Sequence, residues 1–221
     1  MCGITSPEDA AMAAKAGANY VGMIVWPKSK RSVCLSLARE IAAAAREGGA
    51  EPVGVFVDEN ATEIEDMCIA AGLGIAQLHG DGARSAWMQG LPETLKFIYV
   101  VHANKNGVIQ TPFPEDKSNH HQRIVDWLLV DSMQGGSGEK FEWSNFQAPA
   151  KCSKEGWLLA GGLTPQNVGV AVSLVRPSAV DVSSGIAGAD GICKDPALIK
   201  AFMDAIHNSS STNLPHQQIV H

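Results

Sequence analysis

Seven short apolar runs recur along the chain at intervals of roughly 20 to 32 residues, and most are followed by a stretch whose apolar residues fall at helical spacing. This alternation limits the fold more than any other feature. Strands that alternate with helices pack as a parallel sheet, because a parallel neighbour cannot be reached by a tight hairpin and needs a crossover. The runs lie at residues 20–25, 52–57, 75–78, 96–101, 127–130, 158–160 and 179–182. Helix signals sit between them. Ser6 as cap, Pro7 at the first helical position and Asp9 open a helix that Gly17 closes. Residues 35–46 are Ala-rich and stop at Gly48-Gly49, and Asn60 with Glu63 forms a capping box ahead of Ile64, Met67, Cys68 and Ala71. Residues 83–89 and 143–146 carry weaker or shorter helical patterns, while Thr164-Pro165 and Asp195-Pro196 each read as a cap followed by Pro. The polar segment 102–120 is the longest loop.

A stub ending at Cys2 adds an eighth strand, so the rhythm predicts a (β/α)8 TIM barrel whose first strand is largely truncated. The barrel should form one domain over residues 1–207, followed by a polar tail, 208–221, expected to be disordered. A doubly wound open sheet is the competing architecture. It lacks support, because no G-x-G-x-x-G follows the first strand.

Composition then narrows the function. At 221 residues and 45% hydrophobic content the chain can bury a large core, and no shift in composition divides it. The net charge is -6 and the basic residues are scattered, which argues against a nucleic-acid partner. Five cysteines, odd in number and without a C-x-x-C pair, suggest neither a disulfide framework nor a zinc site; a reducing, intracellular setting fits them. No apolar run reaches the roughly 18 residues of a membrane span, so a soluble protein is expected. The sequence leaves monomer or homodimer open.

In a barrel the strand ends converge on one mouth, and polar residues there are read together. Leu159-Ala160-Gly161-Gly162 and Val182-Ser183-Ser184-Gly185 end the last two runs in small, flexible residues that let an anion approach the main chain. Loops after the last two strands are a frequent barrel phosphate site. Tight turns alone are the competing explanation. Cys2, His79, Asp131 and Asp181 lie at strand ends, with Arg31 on a loop at the same face. Cys2 reads as a base if cations or helix N-termini lower its pKa, and otherwise as a small apolar residue. Asp131 ends the most apolar strand, where desolvation would raise its pKa and suit an acid; capping the Gly135-Gly136 turn is the alternative. His79 is either a further functional group or a packed loop histidine. Arg31 either clamps a carboxylate or is solvated along with Lys28 and Lys30. Asp181, between two valines, needs a substrate or protein donor.

Cys2-Gly3-Ile4-Thr5, Trp26-Pro27-Lys28-Ser29-Lys30-Arg31, Val53-Gly54-Val55-Phe56-Val57, Gln77-Leu78-His79-Gly80, Leu129-Val130-Asp131 with Gly135-Gly136-Ser137-Gly138, Leu159-Ala160-Gly161-Gly162-Leu163 and Val180-Asp181-Val182-Ser183-Ser184-Gly185 carry a resemblance. Together and in order, the chain resembles the phosphoribosylanthranilate isomerase family of tryptophan biosynthesis up to about residue 206. Trp26 and Gly138-Glu139-Lys140 look most like its plant-type members. The resemblance implies a cofactor-independent Amadori rearrangement of N-(5-phosphoribosyl)anthranilate, a phosphosugar-anthranilate substrate. It implies Cys2 as general base, Asp131 as general acid, Arg31 on the anthranilate carboxylate, and Gly161, Gly162, Ser183, Ser184 and Gly185 around the phosphate. A plant-type member would work in the plastid stroma, and a different one in the cytoplasm. Family members carry an apolar strand and a lysine ahead of the position of Met1. A second expectation is therefore a catalytically impaired phosphate-binding barrel remnant that lacks strand 1. Indole-glycerol-phosphate synthase chemistry is disfavoured, since no legible strand ends in the lysine it needs.

Overall fold

In the computed structural model the described residues are 1–113, 124–132, 142–143, 146–147 and 153–211. Among these residues seven parallel strands follow one another in the sheet in their sequence order: β1 (Tyr20–Ile24), β2 (Glu51–Phe56), β3 (Ile75–Leu78), β4 (Lys96–Ala103), β5 (Trp127–Ser132), β6 (Trp157–Leu159) and β7 (Ala179–Val180). The helices α1 (Pro7–Lys15), α2 (Leu35–Glu47), α3 (Ala61–Ala71), α4 (Asp81–Gln89), α5 (Val168–Val175) and α6 (Pro196–Ser211) lie between and after them.

The helix starts follow local chemistry. The Ser6 side chain accepts from the Asp9 N–H, and Asn60 and Glu63 cap each other reciprocally at the head of α3. Gly72 then ends α3 at φ 69, a left-handed conformation that glycine adopts without a Cβ clash. One start differs from expectation. The cap position of α5 is Asn167 and not Thr164, and it makes no side-chain cap bond because the Asn167 amide is used in the preceding turn: its Oδ1 accepts from the Thr164 N–H and its Nδ2 donates to the Gly162 carbonyl. At α6, Asp195 Oδ1 accepts from the N–H groups of Ala197 and Leu198, as a cap should. That helix runs on to Ser211, so the segment expected as a tail begins inside it. Residues 212–221, the Gly135-Gly136-Ser137-Gly138 and Gly138-Glu139-Lys140 motifs, residues 114–120 of the long loop, and residues 144–145 of the short helical pattern lie outside the described residues.

Register places the core. Val53 on β2 pairs with Ile75 on β3, Ile98 on β4 with Trp127 on β5, and Leu129 on β5 with Leu158 on β6. With period two, one side chain set on the strands points to one face. Val53, Ile75, Ile98, Val100, Leu129, Leu158 and Ala160 form one buried cluster of their own, with Tyr20, Trp127 and Ala179 packed against it. The opposite set, including Phe56, Leu78, Phe97, Val101, Leu128 and Leu159, joins the helix faces in a second, larger cluster. A curled sheet filled on its inner side and clad by helices on its outer side has the layering of a barrel.

Residues 1–4 lie along the seam. The Cys2 N–H donates to the Val182 carbonyl just beyond β7, while the Met1 carbonyl accepts from the Gly22 N–H and the Ile4 N–H donates to the Gly22 carbonyl on β1. Gly3, at φ 67, spaces the latter two bonds. The two flanks that seven strands would leave unpaired are thus bridged where they meet this segment.

Candidate active site

The inward set of each strand changes character toward its C-terminal end. Continuing the same parity past the apolar layer gives Gln77 and His79 from β3, His102 from β4, Asp131 from β5, and Asp181 and Ser183 from β7. Cys2 reaches the same level because it faces Gly22, where any Cβ would come within 3.0 Å of the Cys2 sulfur. A cavity of about 270 Å³ opens here, lined by Cys2, Trp26, Arg31, Gln77, His79, Asp131 and Asp181 among others. A smaller cleft adjoins it, lined by Gly161, Gly162, Ser183 and Ser184, and Asp131 and Asp181 border both.

Each functional side chain sits in a distinct environment. Asp131 is buried, and desolvation pushes its carboxyl up to about 7 even though Oδ1 accepts a 2.7 Å hydrogen bond from the Ser132 N–H. Burial and the Asp181 carboxylate push the Cys2 thiol up to about 12, with the Met1 amino group and Lys194 pulling the other way. At rest Cys2 is therefore a thiol. The cationic neighbour that a base would need is present, but burial outweighs it. Burial, the neighbouring His102 and Arg84 push His79 down to about 4, so its ring is neutral at physiological pH. The two imidazoles meet edge to face at 5.2 Å, and His79 Nδ1 lies 3.5 Å from Gln77 Nε2.

Arg31 is 5% exposed whereas Lys28 and Lys30 on the same loop are exposed, so it is not a solvated loop residue. Its Nε donates to the Gly191 carbonyl at 2.9 Å and its Nη1 to Ser183 Oγ at 3.3 Å; among the described residues its Nη2 has no acceptor, and the side chain lines the cavity. Asp181 has the Met1 amino group 3.8 Å away.

The glycine-bearing loops are built for close approach. Gly161 has φ 85, and a Cβ there would stand 2.7 Å from the Ser132 nitrogen and 3.0 Å from Asp131 Oδ1. Gly185 does not line the cleft; its Cα packs so tightly on the neighbouring loop that a Cβ would overlap the Leu163 carbonyl oxygen. Among the described residues the N–H groups of Gly162 and Ser184 have no protein acceptor. Backbone donors with that freedom suit an anion.

Three residues at this mouth carry no obvious local signal in the sequence. Gln77 could have been found by extending the inward parity of β3 from Ile75 to His79. Trp26 is held by a 2.8 Å bond from its Nε1 to Asp58 Oδ2, and Lys28 joins the same carboxylate. Lys194, the sole basic residue between Arg176 and Lys200, is buried and its Nζ donates to the Ser183 carbonyl at 2.9 Å.

Comparison with known proteins gives a consistent answer. The family model described as N-(5'-phosphoribosyl)anthranilate (PRA) isomerase matches residues 1–205. N-(5'-phosphoribosyl)anthranilate isomerase 1, chloroplastic, of Arabidopsis thaliana is 48% identical over 208 residues, covering 94% of this chain and 74% of that protein. The N-(5'-phosphoribosyl)anthranilate isomerase of Chlamydia felis is 37% identical over 205 residues, 93% of this chain and 94% of that one. Among solved structures, the phosphoribosyl anthranilate isomerase of Thermotoga maritima superposes with a TM-score of 0.73 at 32% identity, over 94% of this chain and 97% of that one. A phosphoribosyl anthranilate isomerase in complex with reduced 1-(o-carboxyphenylamino)-1-deoxyribulose 5-phosphate superposes with a TM-score of 0.67 at 30% identity, over 94% and 96%. No helix among the described residues is long and apolar enough to cross a membrane.

Proposed function

The chain belongs to the N-(5'-phosphoribosyl)anthranilate isomerase family, and from that premise we propose how its residues divide the work of the isomerisation. The reaction converts N-(5-phosphoribosyl)anthranilate to 1-(2-carboxyphenylamino)-1-deoxyribulose 5-phosphate in tryptophan biosynthesis. These likenesses favour the isomerase over an impaired remnant.

The observation that carries the assignment is the pairing of Cys2 and Asp131 at one cavity. Asp131, protonated up to about pH 7 by its burial, gives its proton to the ribose ring oxygen, and the C1–O bond breaks to leave an iminium between C1 and the anthranilate nitrogen. Cys2, as the thiolate, removes the C2 proton, and the electron pair moves toward the iminium to give an enolamine that tautomerises to the ketone. In sum C2 loses one hydrogen and C1 gains one, the tautomerisation protonating C1 as the 2-hydroxyl gives up its proton, so no redox cofactor is required. The proton taken up by Cys2 and the one lost by Asp131 balance through solvent.

The remaining contacts orient the substrate. The unused guanidinium donors of Arg31 meet the anthranilate carboxylate, and Gly161, Gly162, Ser183 and Ser184 hold the phosphate in the adjoining cleft, with Gly185 allowing the two loops to close on it. His79, held neutral, and Asp181 bind the sugar hydroxyls between these ends. In this reading residues 1–4 stand in for the first strand of the barrel, the domain runs through residue 207 to the end of α6 at Ser211, and the protein works in the plastid stroma as its plant-type resemblance implies.

The direct test is turnover of N-(5-phosphoribosyl)anthranilate by the purified chain. Cys2→Ser and Asp131→Asn should each reduce kcat by about 10²- to 10⁴-fold, with little change in substrate affinity. Wild-type turnover in either variant would remove that residue from the proton-transfer pair.

A further inference from the structure

Lys194 is a buried cation held in place from several sides. It is 5% exposed, and among the described residues its ammonium makes no ion pair. Its hydrogen bond goes to the Ser183 carbonyl. A buried charge without a paired counter-ion is destabilising, so the fold bears a cost to keep it there.

The contacts around it fix the Lys194 main chain. Asp9 Oδ2 accepts from the Lys194 N–H at 3.0 Å, Lys194 pairs with Ala187 in an antiparallel bridge, and the Gly188 N–H donates to the Cys193 carbonyl at 2.9 Å. The same loop supplies the Gly191 carbonyl that orients Arg31. Ser183 is the node between them, since its carbonyl takes Lys194 and its hydroxyl takes Arg31. Cys2 abuts this node, because its N–H bonds the Val182 carbonyl and a Cβ on the following Gly3 would sit 2.8 Å from Ser183 Oγ.

We propose that Lys194 is a positioning residue for proton abstraction: its ammonium, fixed on the Ser183 carbonyl, supplies the charge that holds the Cys2 sulfur as a thiolate in the working enzyme. The inference rests on Cys2 being the base. The thiol first releases its proton to solvent, the thiolate then takes the C2 proton of the sugar, and the sulfur ends that step as a thiol again. The groups that face Cys2 are Asp181, which raises the thiol, and the Met1 amino group and Lys194, which lower it. Burial brings Lys194 down to about 8 with Arg31 acting the same way, while the Cys2 thiolate, Asp181 and Asp9, which face it, favour its charged form.

The test is the pH profile of kcat/KM. Lys194→Gln, which can still donate to the Ser183 carbonyl but carries no charge, should move the acid limb upward by about one to two pH units, in line with the loss of a nearby opposite charge. At neutral pH kcat/KM should fall about 10- to 100-fold, through kcat and not KM. Lys194→Arg should return the limb to its wild-type position. If Lys194→Gln does not fold, Lys194→Met takes its place, and the rate at which iodoacetamide abolishes activity gives a second reading. That rate should level off in the wild type above pH of about 8, where the ammonium is lost, and continue to rise in Lys194→Arg. An unmoved acid limb, or a loss expressed wholly in KM, overturns the role of Lys194. Wild-type turnover by Cys2→Ser would instead overturn the assignment of the base, so the two failures are distinct.

Discussion

Asp131 carries opposite demands from catalysis and stability. Its carboxyl stands at about 7 in the folded chain against an ordinary value of 3.8, so the folded state keeps a proton that the unfolded chain releases. Stability is therefore lost as pH rises from about 4 to about 7, and the loss is complete above that range. Asp131→Asn removes the titration while its amide oxygen can still accept from the Ser132 N–H. The variant should melt higher than the wild type at pH 8 and level with it near pH 4, while losing turnover at both; equal melting at pH 8 would show that burial does not tax the carboxylate. His79 works in the other direction. Its folded value of about 4 lies below the ordinary 6.5, so stability is lost as pH falls between those values, and a His79→Gln variant should flatten that part of a melting-temperature profile. Arg31→Ala should act on KM, since a carboxylate contact present throughout the reaction is largely uniform binding. An unchanged KM would remove Arg31 from the anthranilate half. Much of this was legible in the residues: a carboxyl at the end of Leu128-Leu129-Val130 is bound to be desolvated. Lys194 was not, because its burial depends on the 187–194 loop folding back through the Ala187 bridge and the Asp9 bond, contacts between residues far apart in sequence.

At the scale of elements, the strand and helix order follows from local signals wherever a cap or a two-residue period is strong, as at Ser6, Asn60 and residues 75–78. The reading of Thr164-Pro165 as a helix start is early by one turn: residues 165–167 form a turn that the Asn167 side chain ties back to Thr164 and Gly162, and α5 begins at Val168. That turn matters for function, since it fixes one wall of the proposed phosphate cleft, and the 3₁₀ turn Ser184–Ile186 fixes the other. The contact between the walls is Gly185 on Leu163. Gly185→Ala should separate them, lowering competitive inhibition by inorganic phosphate and substrate affinity by roughly tenfold, with a loss of stability of about 1–3 kcal/mol from overpacking. Isothermal titration with inorganic phosphate measures the first effect, and phosphate affinity equal to wild type would show that the two loops do not form the anion site.

For the whole molecule the question is how a sheet of seven strands avoids two open edges. From the sequence alone, open edges beside apolar strands imply aggregation, because unpaired N–H and C=O rows recruit other chains. In the structure residues 1–4 occupy that seam, with Cys2 bonded to Val182 on one flank and Met1 and Ile4 bonded to Gly22 on the other. Ile4 is fully buried, so the segment is anchored by its side chain as well as by its backbone. The segment that supplies the proposed base is thus also the closure, and the two roles can be separated. Ile4→Ala leaves Cys2 in the chain but removes the anchor, at a cost of about 2–5 kcal/mol for a large-to-small core change. Its effect should appear first at the seam: faster hydrogen exchange at the Cys2, Ile4 and Gly22 amides, and concentration-dependent association on size-exclusion chromatography. Exchange should stay slow in β3, β4 and β5, which are paired on both sides irrespective of the seam. Uniformly faster exchange across all seven strands in a monodisperse variant would mean that the barrel is held by its inner and outer cores alone, and that residues 1–4 contribute only the thiol.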